Sequence, residues 1–179
     1  MLFSAKNIIP FGLIITREIL FHPSLSRISV SLINKMSGFS TSETINQPRE
    51  FVFGHLVNLD NFKNWMPGVL DIKINPNVDI GKGTKYIETR RFKSGEGDVQ
   101  MEVLDFQAPE LFVTSFYTGG VFCKYEYFLK KEGSKTIVSL TCKVKVTGHK
   151  KIWQPLIAWA IKLQDKNQLK ALKASLENS

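Results

Sequence analysis

From residue 37 onward the chain alternates between apolar and polar positions with a period of two, interrupted by turn residues at short intervals. That is the pattern of half-buried strands in an antiparallel sheet. Phe39 to Ile45 (FSTSETI) predicts the first strand. Pro48 then marks a helix start, and Pro48 to Asn58 (PREFVFGHLVN) predicts a short amphipathic helix with Phe51, Val52 and Leu56 on its apolar face. A second short helix over Leu59 to Trp65 is stopped by Pro67-Gly68. Six strands follow: Val69–Ile74, Thr84–Phe92, Asp98–Phe106, Leu111–Thr118, Val121–Leu129 and Lys135–Thr147. Ile152 to Leu176 then predicts a long helix with Pro155 in its first turn or at a kink. The fold class is therefore α+β: an antiparallel sheet of about seven strands and a long C-terminal helix able to cover one face of it.

Turns fix register, and register fixes which side chains share a face. With Ser94-Gly95 as a two-residue turn, Arg91 faces Asp98, Glu88 faces Met101 and Tyr86 faces Val103. With Glu132-Gly133 as a turn, Tyr127 faces Val138, Tyr125 faces Leu140 and Cys123 faces Cys142. With Gly119-Gly120 as a turn, Phe116 faces Cys123, Thr114 faces Tyr125 and Phe112 faces Tyr127. The three hairpins agree on one inward face. It holds Met101, Val103, Phe112 and Phe116 together with Tyr86, Glu88, Arg90, Thr114, Tyr125 and Tyr127. A mostly apolar surface with a few convergent polar groups suits a small-molecule site.

Ile45-Asn46-Gln47-Pro48-Arg49-Glu50-Phe51-Val52-Phe53, Trp65-Met66-Pro67-Gly68-Val69, Gly81-Lys82-Gly83-Thr84 and Leu169-Lys170-Ala171-Leu172-Lys173 occur in that order. Together they resemble the START-like (SRPBCC, helix-grip) superfamily, in its polyketide cyclase/dehydrase branch, over residues 37 to 177. The resemblance implies a sheet gripping the long helix with a cavity between them. It implies binding of a hydrophobic small molecule or lipid there, or alternatively a cyclase or dehydratase acting on aromatic polyketides. It brings no invariant catalytic signature.

On these grounds the expected ligand-binding residues are Trp65, Tyr86, Glu88, Arg90, Met101, Val103, Phe112, Phe116, Tyr125, Tyr127 and Trp159. Glu88, Arg90 and His55 are the candidates for acid/base chemistry. The alternative for Glu88 and Arg90 is a hydrated pair at the cavity mouth, since buried charges are costly unless paired. The alternative for His55 is a half-buried side chain with no catalytic partner. Cys123 and Cys142 are expected as reduced core neighbours. Two thiols fall short of a zinc ligand set, so no metal and no cofactor is expected.

Charge changes the picture only at the margins. The 179 residues carry 24 Lys plus Arg against 16 Asp plus Glu, a formal +8. No nucleic-acid-binding motif accompanies the excess, so nucleic acid is not expected as a partner. Lys151, Lys162, Lys166, Lys170 and Lys173 fall in one narrow sector of the long helix. They are either its solvated face or a site of peripheral contact with an anionic membrane. Residues 1–36 are expected to be an extension, dispensable or targeting. Their longest apolar run, Ile8 to Ile15, is broken by Pro10 and Gly12 and is too short to span a bilayer. The expected location is cytoplasmic, with targeting to an organelle through residues 1–35 as the alternative; the expected ligand-binding domain is 37–179.

Overall fold

A computed structural model describes residues 37–75, 78–92 and 95–177. The extension over residues 1–36 lies outside the described residues. The elements are β1 (Ser37–Ile45), α1 (Arg49–Val57), a 3-10 turn (Leu59–Asn61), α2 (Phe62–Trp65), β2 (Val69–Lys73), β3 (Lys85–Phe92), β4 (Gly95–Gln107), β5 (Leu111–Thr118), β6 (Val121–Glu132), β7 (Lys135–Val146), a second 3-10 segment (Gly148–Trp153), α3 (Gln154–Asp165) and α4 (Gln168–Glu177). The seven strands form one antiparallel sheet in the order β1-β7-β6-β5-β4-β3-β2. β1 and β2 are its edges, and α1 and α2 connect those two edges.

The long C-terminal helix runs in two pieces. A turn at Lys166 and Asn167 separates α3 from α4. Pro155 sits in the first turn of α3, where its missing N–H costs nothing. The buried side of the two helices is Gln154, Ile157, Ala158, Ile161, Asp165, Gln168, Leu169, Leu172 and Leu176. That is an i, i+4, i+8 stripe laid against the inner face of the sheet.

Register shows where turn chemistry was read one residue off. β5 and β6 pair as expected, Phe116 with Cys123 and Phe112 with Tyr127. In the β3–β4 hairpin Tyr86 pairs with Met101, Glu88 with Val99 and Arg91 with Glu96. In the β6–β7 hairpin Tyr125 pairs with Cys142, Tyr127 with Leu140 and Glu132 with Lys135. Gly133 and Ser134 therefore make that turn, with Gly133 at φ +60° in the left-handed region a two-residue hairpin needs. Each pairing is displaced by two from the expected one. An even displacement keeps every side chain on its expected face, so the inward set survives. Cys123 and Cys142 become diagonal rather than direct neighbours. Both are buried and free, with sulfurs 3.4 Å apart.

The helix α1 corrects a further expectation. Phe51 is exposed (56%), and Phe53 takes its place beside Val52 and Leu56 in the core. Phe53 packs edge-on against Phe106 at 5.4 Å.

Candidate functional site

The centre of the inner face is an aromatic cluster wrapped around a small set of buried charges. Phe112 and Tyr127 stack at 6.1 Å, Trp65 meets Tyr127 edge-on at 6.5 Å, and Phe62 bridges Trp65 (5.4 Å) and Tyr86 (6.2 Å). Such pairs add roughly 0.5–1.5 kcal/mol each beyond their area burial. Each ring carries a polar tip that must find a partner once buried. The Tyr86 hydroxyl is 3.1 Å from Thr114 Oγ1, and Tyr127 donates to Gln168 Oε1 at 2.7 Å.

The charges lie beside these rings. Glu88 and Arg90 are two apart on β3 and both are buried, at 1% and 3% exposure. The expectation that they point inward holds, and the hydrated alternative at the mouth does not. Arg90 Nη1 is 3.6 Å from Glu88 Oε2, and Arg90 Nη2 donates to Asp165 Oδ1 at 3.1 Å. Tyr125 donates to the other Asp165 oxygen at 2.6 Å. Arg90 Nη2 also reaches the Pro67 carbonyl at 3.4 Å, tying the cluster to the turn before β2.

Burial sets the proton affinities here. It raises Glu88 above the ordinary carboxylate value; Arg90 opposes the shift and Asp165 reinforces it. Burial works against the charge on Arg90, but Asp165 and Glu88 more than offset it and hold the guanidinium firmly protonated. Burial likewise pushes Tyr86, Tyr125 and Tyr127 well up, so all three remain neutral phenols and act as donors. The cluster is thus one permanent cation, carboxylates on two separate elements, and a ring of hydroxyls.

Three buried polar atoms of this region have no hydrogen-bond partner: Trp65 Nε1, Arg90 Nε and Glu88 Oε2. Two are donors, and the third accepts when ionised or donates when protonated. Unmet groups of this kind are uncommon in folded proteins and call for a specific explanation.

The other expected site residues sort plainly. Met101, Val103, Phe112 and Phe116 are buried on the same face, all at or below 3% exposure. Trp159 is not part of the site. It is 56% exposed on the outer side of α3, because Ile157, Ala158 and Ile161 take the inward positions. His55 is also elsewhere: its Nε2 lies 3.1 Å from Ser175 Oγ, and its Nδ1 lies 3.4 Å from the Asn61 amide nitrogen. It joins α1 to α4 as a half-buried structural contact, and burial lowers its pKa.

Asp165 and Gln168 were not anticipated. The signal was present, because both fall on the apolar stripe of the terminal helices, where a polar residue needs an interior partner. Among the described residues no cluster of three His, Cys, Asp or Glu side chains could hold a metal ion. No helix among them is long and apolar enough to cross a membrane.

No family model matches the chain, and no curated protein matches its sequence. Solved structures do match its shape. A START superfamily protein from Mycobacterium smegmatis superposes with a TM-score of 0.65 at 12% identity, over 80% of this chain and 99% of that one. The Zhui aromatase/cyclase from Streptomyces sp. R1128 gives 0.65 at 13% identity, over 80% and 95%. Ara h 8.0201 gives 0.60 at 12% identity, over 81% and 100%. At such identities the likeness is one of architecture: a seven-stranded antiparallel sheet closed over C-terminal helices. The chain therefore has the START-like helix-grip fold.

Proposed function

We propose that this protein binds a small hydrophobic molecule between the sheet and the terminal helices, with the polar end of the ligand at the Glu88–Arg90–Asp165 cluster. The observation that carries this reading is a pair of buried donors with no hydrogen-bond partner, Trp65 Nε1 and Arg90 Nε, beside Glu88 Oε2, which is ion-paired to Arg90 but accepts no hydrogen bond, on an otherwise apolar and aromatic face. A ligand hydroxyl or carbonyl would satisfy the two donors, and a hydroxyl could also engage Glu88. The rings of Trp65, Phe112 and Tyr127 would supply apolar contact for its body.

A second reading is an acid/base enzyme of the cyclase or dehydratase class. It draws on Glu88, whose raised pKa brings a proton closer to exchange at working pH, and on the printed name of one structural neighbour, an aromatase/cyclase. His55 takes no part in either reading, since its ring is engaged by Ser175 and Asn61.

Titration with a neutral naphthylamine fluorophore tests the binding reading. Saturable binding to the wild type is expected, and Met101→Trp or Val103→Phe is expected to abolish it while the chain stays folded. Absence of saturable binding up to the solubility limit of the probe, or unchanged binding in both folded variants, overturns it.

A further inference from the structure

The helix α3 is apolar on two opposite sides. One side is buried in the core. The other carries Trp159 at 56% exposure and Leu163 at 46%, spaced i and i+4 so that they form one patch. Lys162 and Lys166 are exposed at i+3 and i+7 from Trp159, on the same side. Between Gly148 and Glu177 the sequence holds six lysines and two acids; Asp165 is buried against Arg90, and Glu177 pairs with Lys173 at the far end of α4. This outer surface is thus basic, with a bulky aromatic and an aliphatic side chain set among the lysines.

We infer that the outer face of α3 docks on an anionic lipid surface. The composition is specific to that occupant. Trp is favoured at the headgroup level, where the ring meets the acyl boundary and its N–H stays hydrated. Leu163 enters beside it, while the lysine stems lie along the boundary with their ammonium groups on lipid phosphates. No described helix can cross a bilayer, so the helix lies in the plane of the interface. The turn at Lys166 and Asn167 ends α3, so the exposed Lys170 on α4 extends the basic surface past the apolar patch. The surface contact is separate from the interior cluster and stands or falls independently of it.

Flotation of the full chain with vesicles tests the inference. Vesicles with about a third phosphatidylserine should bind it about tenfold or more better than pure phosphatidylcholine, with loss of binding at high salt. Lys162→Glu with Lys166→Glu should lower that partition by about tenfold or more. Trp159→Ser with Leu163→Ser should also lower it at unchanged charge. These residues are exposed, so both variants should keep the wild-type melting curve and wild-type uptake of the naphthylamine probe. Equal partition to neutral and anionic vesicles overturns the inference. So does wild-type partition in both variants, which would place lipid contact elsewhere in the chain. Tight binding of polyglutamate by the wild type, with vesicle binding untouched by the Trp159 and Leu163 changes, would assign the surface to an acidic protein instead and equally overturn it.

Discussion

Arg90 on β3 and Asp165 at the end of α3 meet in the core at 3.1 Å, 75 residues apart in sequence and nearly sealed from solvent. The contact joins sheet to helix through charge, at the one charged residue of the buried helix stripe. A buried pair of this kind is a poor source of net stability, because desolvation cancels much of the attraction. Its value here is positional. It fixes the guanidinium whose Nε is left without a partner.

Removing one member of the pair should therefore cost far more than removing both. Asp165→Leu leaves Arg90 with Glu88 as its one counter-charge among the described residues, beside the Pro67 carbonyl, and is expected to destabilise the fold by roughly 3–5 kcal/mol. The double variant Arg90→Met with Asp165→Leu should cost less than the sum of the two single changes. Urea melts of the four proteins in the cycle measure the difference, and strict additivity would show that the two groups do not interact.

Glu88 gives a stability slope of definite sign. Its folded-state pKa lies above the unfolded reference of 4.5, so the native state binds the proton more tightly than the unfolded chain does. This contribution is fully present below that reference and is lost as pH rises through the folded value. Glu88→Gln removes the titration and should flatten the slope over that window. Melting temperatures of both proteins, measured from pH 4 upward in about half-unit steps, provide the check. A steeper fall with pH in the variant would contradict the assignment.

Gly68 holds φ +81° in the turn Met66-Pro67-Gly68-Val69, closed by Val69 N donating to Met66 O at 3.2 Å. The same turn presents the Pro67 carbonyl to Arg90 and the Gly68 carbonyl to the Arg91 N–H at 2.7 Å. Pro followed by a residue at positive φ is a type II turn, which favours Gly at its third position. Gly68→Ala should cost about 1 kcal/mol or more, since the new Cβ meets a conformation it disfavours. Because Arg90 leans on this turn, probe uptake should weaken as well. Equilibrium unfolding together with probe titration separates the two effects.

Much of this architecture was readable from local chemistry. The two-residue period set the strands and their inward faces, and Pro48 and Pro67-Gly68 set the start and end of the connecting helices. The even displacement in two hairpins shows how far local signals reach. Alternation determines which face a side chain takes, but adjacent registers of the same parity satisfy it equally. In β3–β4, Arg91 finds an acid in either register, Asp98 or Glu96, and cross-strand charge does not discriminate between them. Trp159 illustrates the converse limit. The helix has apolar residues around more than one side, and only docking on the sheet selects Ile157, Ala158 and Ile161 for burial and leaves the Trp outside.

The composition of the site divides in the same way. Glu88, Arg90, Tyr125 and Tyr127 follow from strand parity, which is a property of the nearest neighbours along the chain. Their pairing with Asp165 and Gln168 does not, because it depends on the height and rotation at which α3 and α4 settle against β3 and β6. Local sequence determined which groups face inward. Tertiary packing decided which charges neutralise one another and which polar atoms remain without a hydrogen bond, because those outcomes depend on distances of a few ångströms between segments remote in sequence.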